Sequence, residues 1–286
     1  MRISAYGCDP ARSPPGVSAG YTSLCRFSQQ RRPGVQGGSN SGIVQGMAQT
    51  QGTPAVWQGR TLCGVLFDLD GTLLDTASDI TQALNRALGE HDLAPLSIAE
   101  VSRMIGRGSP MLIESATRAR SRAFSDGEKA AMLERFFHHY GELEERDESD
   151  AQPYAGVREA LRRLHEAQLR IGVVTNKQHR FASALLQRLN LMQWVGVIVG
   201  GDTCERRKPD PQPLLFACQA LGLSRSQVLM VGDSINDVTA ARAAGIPVVC
   251  VPYGYNEGRD PRSLACDAMI ETLADLPGLL WPSEGS

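Results

Sequence analysis

Two aspartates two residues apart, Asp68 and Asp70, close an apolar run in the stretch VLFDLDGTLLDT at residues 65–76. On an extended segment, side chains two apart face the same way, so both carboxylates can address one reaction centre. Burying two like charges there is unfavourable unless a cation meets them. A third acid, Asp233, follows another apolar run, in the stretch GDSINDV. Three carboxylates so arranged call for a cation. A hard, all-oxygen donor set without histidine suggests Mg²⁺ in preference to zinc. The histidines, at 91, 138, 139, 165 and 179, show no ligand spacing. His138 and His139 are neighbours on a helical pattern, so they point apart and read as a solvated face.

Other polar residues follow apolar runs in the same manner. Thr72 comes after the first run, Thr175, Asn176 and Lys177 after the second, Lys208 in ERRKPDP beyond the third, and Ser234 and Asp237 beside Asp233. In an open parallel sheet, ligands bind beyond the carboxyl ends of the strands, so neighbouring runs would bring these residues together. The runs are CGVLF from residue 63, LRIGVVT at 169–175, VGVIV at 195–199, VLMV at 228–231 and IPVVCV at 246–251. Short and continuously apolar, they suit strands covered on both faces. Helical patterns lie between them at 157–167, 179–190 and 211–221, and NDVTAARAA ends at Gly245, which suits a left-handed helix stop. Strand–helix alternation of this kind predicts an α/β fold: a Rossmann-like parallel sheet with right-handed crossovers, flanked by helices.

One segment breaks the rhythm. Ile80, Ala83, Leu84, Ala87 and Leu88 recur at helical spacing, and Ser97 with Glu100 and Ser125 with Glu128 fit capping boxes. Residues 79–150 are therefore expected to form a helical cap inserted after the first strand, with 61–78 and 151–286 as the α/β core. Residues 1–60 are expected to be an N-terminal extension without stable structure. Its first 46 residues are rich in Ser, Gly, Pro and Arg and poor in periodic apolar positions, so ordering them has little to offset its entropy. Five arginines against the single acid Asp9 give that tail a faint likeness to a transit peptide, and Met47 offers a later start.

The formal net charge of −2, from 29 basic and 31 acidic residues, gives no electrostatic reason to expect nucleic acid or an anionic membrane as partner. Seven cysteines without a CxxC pair argue against a disulfide framework or a zinc site, and point to a reducing cytoplasm. No apolar stretch approaches the roughly 18 residues that would span a bilayer.

Taken in order, DLDGT, the threonine of VVTNK, the lysine of RKPDP, and GDSIND resemble the haloacid dehalogenase-like hydrolase superfamily, over residues 63 to about 275. The resemblance implies Asp68 as the nucleophile that forms an aspartyl phosphate. It implies Asp70 as the acid/base that protonates the leaving alkoxide and then activates water. Thr175 and Lys208 would hold the phosphoryl oxygens, and Mg²⁺ would sit among Asp68, the backbone carbonyl of Asp70, and Asp233. Thr72 and Asn176 are further substrate-binding candidates, with Asp237 as support behind the metal ligands. The implied partner is a small phosphorylated metabolite. Physical chemistry agrees: a carboxylate attacking a phosphate monoester meets a unit-charge repulsion of about 4 kcal/mol at 4 Å and an effective dielectric of 20. Uncompensated, that is roughly a thousandfold in rate, and Mg²⁺ with a lysine ammonium can offset it.

Within the superfamily, an insertion at this position resembles a cap that closes over the site and excludes water. MIGRGSPMLIESA, VGVIVGGDTCERRKPDPQPLL and YGYNEG resemble the phosphoglycolate phosphatase branch, which implies hydrolysis of 2-phosphoglycolate to glycolate and phosphate. Arg107, in the GRG loop of the cap, is the candidate partner for a substrate carboxylate. A sugar-phosphate phosphatase, a phosphomutase using the same intermediate, and a non-catalytic phosphometabolite sensor remain alternatives. An intact Asp70 speaks for catalysis, since binding alone needs no proton donor.

Overall fold

Continuous apolar runs become strands buried on both faces in the computed structural model, which describes residues 54–281. The chain opens with β1 (Ala55–Trp57) and β2 (Arg60–Leu62), an antiparallel hairpin turned by Gln58 and Gly59, both at positive φ as a type I′ turn requires. Next come β3 (Gly64–Phe67) and the short β4 (Leu74–Asp75). Four helices follow: α1 (Ala77–Gly89), α2 (Ile98–Ser102), α3 (Ser109–Ala119) and α4 (Asp126–Glu145). The chain returns through β5 (Gln152–Pro153), which pairs antiparallel with β4. Alternation then sets in: α5 (Val157–Glu166), β6 (Arg170–Val174), α6 (His179–Arg188), β7 (Val197–Val199), α7 (Gln212–Ala220), β8 (Val228–Gly232), α8 (Ile235–Ala244) and β9 (Val248–Cys250). The last elements are β10 (Ala268–Met269) and α9 (Leu276–Leu280).

Six strands form one parallel sheet in the order β10-β9-β8-β3-β6-β7. Alternate residues feed opposite faces. Val65, Phe67, Val173 and Val231 pack with Leu161, Leu164 and Leu185 from α5 and α6, while Leu66, Val174, Met230 and Val248 pack with Leu214, Ala217 and Ala241 from α7 and α8. A third apolar core joins α1, α3 and α4 through Leu84, Leu88, Ile113, Met132 and Phe136, with Phe181 entering from α6. The expected stripe Ile80, Ala83, Leu84, Ala87 and Leu88 is the buried face of α1. Both expected capping boxes are present, with Ser97 N–H donating to Glu100 and Ser125 N–H to Glu128, each at 2.8 Å. Gly245 ends α8 in the left-handed region at φ 70°.

The structure departs from expectation at the N-terminal boundary. Residues 55–60, assigned to the extension, form the first strand and turn, and Ala55, Trp57 and Leu62 are buried in the core. A strand of three residues with one exposed position carries too little periodicity to be read. The expected tail up to residue 46 and the start at Met47 lie outside the described residues. The strand β10 was not expected either: two residues beside β9 leave no apolar run. Among the described residues, no helix is long and apolar enough to cross a membrane.

Candidate active site

The sheet register brings the polar strand ends together. Phe67 in β3 lies level with Val173 in β6 and Val231 in β8, so Asp68, Thr175 and Asp233 emerge from three adjacent strands. Lys208, from the loop between β7 and α7, completes the cluster. Its Nζ lies 2.9 Å from Asp68 Oδ1 and 2.6 Å from Asp237 Oδ1. Asp68 Oδ1 also accepts from the Leu69 N–H at 2.7 Å, while Oδ2 takes no part in these contacts. Asp237 serves twice: its Oδ2 accepts from Ser234 N and Oγ, closing the capping box of α8. Local folding of the helix thus fixes the anion that fixes the lysine.

Asp233 is held from two sides, by the Thr72 hydroxyl donating to Oδ1 and the Tyr255 N–H donating to Oδ2, each at 2.8 Å. Thr72, the substrate-binding candidate, gives its hydroxyl to this acid. It is fully buried, and its hydroxyl orients an acid. The approach is so close that only glycine fits at two positions. A Cβ on Gly71, at φ +87°, would stand 2.5 Å from Asp233 Oδ2, and one on Gly254 would stand 2.3 Å from the same side chain.

Asp70 has partners of its own. Its Oδ1 accepts from Thr76 Oγ1 at 2.6 Å and from Lys177 Nζ at 3.0 Å. The ammonium of Lys177 lies over the ring of Tyr140, 4.5 Å from its centre. The sequence places Lys177 at a strand end but assigns it no role, and it does not single out Tyr255. Lys177 had a usable signal, its place directly after the second strand beside Thr175; the backbone amide of Tyr255 had none.

Asp68, Asp233 and Asp237 offer carboxylate oxygens within 4.8 Å of one another, and all three are buried. Burial pushes the Asp68 carboxyl well above its ordinary value and Asp233 up to about 7, with the neighbouring acids adding to both. Lys208 is pushed down by burial, but Asp237 and Asp68 more than reverse this and hold it above its ordinary value. One lysine facing three buried acids leaves the cluster short of positive charge. A hard divalent cation fits that all-carboxylate donor set. His138, His139 and Glu142 also gather, and both imidazoles face Glu142. There the acids already have partners, Arg146 on Glu142 and Arg135 on Glu90, so the group is a surface ion-pair network.

Above the cluster opens a cleft whose floor is Asp68, Asp70, Thr175, Asn176 and Lys177. Its walls are apolar and come largely from the helices after β4: Ile80, Ile105, Leu112, Phe136 and Tyr140. Asn176 Nδ2 donates to Gly106 O at 2.8 Å and Lys208 O at 2.9 Å, tying floor to wall, and its buried Oδ1 has no partner among the described residues. Arg107 stands apart. Gly106 and Gly108 line the cleft, but the Arg107 side chain is 56% exposed and faces Glu257 at 4.0 Å. The strand-end register dictates where Asp68 points; nothing comparable constrains a loop arginine.

The sheet and its carboxylate–lysine centre define an α/β protein of the doubly wound class with its site at the strand ends. The model of the haloacid dehalogenase-like hydrolase family matches residues 65–251, and the chain belongs to that family. It is 41% identical over 221 residues to a phosphoglycolate phosphatase of Nitrosospira multiformis, covering 77% of this chain and 96% of the relative. A phosphoglycolate phosphatase of Rhodospirillum rubrum is 43% identical over 227 residues, covering 77% and 92%. Among solved structures, a predicted phosphoglycolate phosphatase of Haemophilus somnus superposes with a TM-score of 0.71 at 29% identity, covering 76% of this chain and 97% of the other.

Proposed function

We propose that the chain is a Mg²⁺-dependent phosphomonoester hydrolase whose substrate is 2-phosphoglycolate. The observation that carries this is the buried Asp68 carboxylate, bonded to Lys208 at the end of the central strand and opening into one cleft with Asp70 and Thr175. In a chain 41% identical to a named phosphoglycolate phosphatase, it supports a nucleophile prepared for phosphorus. Asp68 attacks and becomes an aspartyl phosphate; Lys208 and Thr175 hold the non-bridging oxygens as charge moves onto them. Asp70 gives a proton to the leaving oxygen and later takes one from water. Asp68, the Asp70 carbonyl and Asp233 would hold Mg²⁺, which supplies charge neutralisation between the acid and the phosphate. Residues 55–78 and 151–281 act as the core, and 79–150 as a cap whose apolar wall keeps bulk water from the intermediate. The five described cysteines are all unpaired, which supports a cytoplasmic setting.

A panel of phosphate esters assayed with Mg²⁺ for released phosphate tests the substrate. 2-Phosphoglycolate is expected to lead by kcat/KM. A hexose phosphate in first place reassigns it, isomer formation without phosphate marks a mutase, and no turnover of any ester leaves a sensor.

The metal has a thermal signature. A carboxyl raised to about 7 in the folded state but ordinary when unfolded keeps a proton between those values, so the folded state loses stability as pH rises through that window. A cation at Asp233 must displace that proton, and does so more easily as pH rises. The gain in melting temperature on adding Mg²⁺ to metal-free protein is therefore expected to grow from pH 5 to pH 7.5. A gain independent of pH would remove Asp233 from the metal site.

A further inference from the structure

We infer that Lys177 reads a carboxylate on the leaving group, and so sets the preference of the site for esters that carry a second anion. The inference rests on the phosphatase reading and names the residue behind its substrate choice.

Among the described residues lining the cleft, Lys177 supplies the one cationic side chain. Lys208 lies deeper and is committed to Asp68 and Asp237. Arg107 faces Glu257 outside the cleft. The Lys177 side chain is 8% exposed, and its neighbours on the cleft wall are apolar. A charge buried in such surroundings is costly unless it is matched. An ammonium has three N–H donors. Asp70 Oδ1 takes one at 3.0 Å and the ring of Tyr140 covers another direction, which leaves a donor for a ligand without breaking either contact.

Position identifies that ligand. Asp70 is the group proposed to protonate the leaving oxygen, and Lys177 is its direct hydrogen-bond partner. A cation beside that acid is within reach of a substituent on the carbon next to the leaving oxygen, where an α-carboxylate sits. A neutral substituent there gives Lys177 no charge to pair with, and the other polar groups lining the cleft, Ser109, Thr175 and Asn176, carry no positive charge.

The test compares 2-phosphoglycolate with 2-hydroxyethyl phosphate, which has a neutral hydroxymethyl group in place of the carboxylate. Lys177→Met is expected to lower the ratio of kcat/KM for the two esters by roughly 30-fold, as one charged hydrogen bond warrants, chiefly through KM for the acid ester. Lys177→Arg, which keeps the charge, is expected to retain most of the preference. Should Lys177→Met fail to fold, Lys177→Gln makes the same comparison. Equal losses on both esters, expressed in kcat, would overturn the inference and leave Lys177 as a positioning residue for Asp70. Wild-type protein that hydrolyses neither ester would overturn the phosphatase reading and this inference with it, a result distinct from equal loss.

Discussion

Asp68→Asn is expected to lower phosphate release by at least about 10⁴-fold, because an amide cannot serve as the anionic nucleophile and a unit this central is not replaced by its neighbours. The fold is expected to survive. Burial disfavours the charged form of Asp68, so asparagine at this position relieves a desolvation penalty, and Lys208 keeps Asp237 as its partner. In metal-free buffer the variant should therefore melt no lower than the wild type, a separation of function from stability found where sites hold buried charge. Acid quenching during turnover should trap a phosphorylated peptide containing Asp68 in the wild type and none in the variant. Turnover within tenfold of wild type, in a correctly folded variant, would exclude Asp68 as the attacking group.

What the sequence could announce is what strand geometry enforces. Asp68, Thr175 and Asp233 each follow a run buried on both faces, and parallel register leaves such residues little choice but to meet. Ser97 with Glu100 and Ser125 with Glu128 were legible for the same reason: a helix start has orphan N–H groups, and few side chains satisfy them. The contact of Thr72 with Asp233 was not legible, because a hydroxyl in a loop can serve a ligand or a neighbouring acid, and only the fold puts Asp233 beside it. Lys177 and Tyr140 lie 37 residues apart on elements whose packing no periodicity records, so their contact, and the pairing of Lys177 with Asp70, emerged only in three dimensions. Arg107 fits the chemistry that a substrate carboxylate needs, and in the structure its side chain faces Glu257.

Lys208→Met is expected to damage stability and activity together, which distinguishes it from Asp68→Asn. The side chain is 1% exposed and lies between Asp68 and Asp237, so removing its charge leaves two buried carboxylates without their shared cation. Breaking a buried pair in this way costs about 3–5 kcal/mol, far more than losing an exposed one. The sign with pH follows from Asp68, whose proton affinity is already raised by burial and restrained by Lys208. Without the lysine the folded state binds that proton more strongly still, so stability falls further as pH rises, and the deficit relative to wild type is expected to be larger at pH 7.5 than at pH 5. Urea unfolding at both values measures it. Adding Asp237→Asn to Lys208→Met removes one of the stranded charges and should recover part of the stability. It should recover none of the turnover, because the phosphoryl oxygens would still lack their ammonium. Wild-type stability of Lys208→Met at pH 7.5 would mean that the three acids do not depend on this lysine, and the charge balance proposed for the site would have to be rebuilt around another cation.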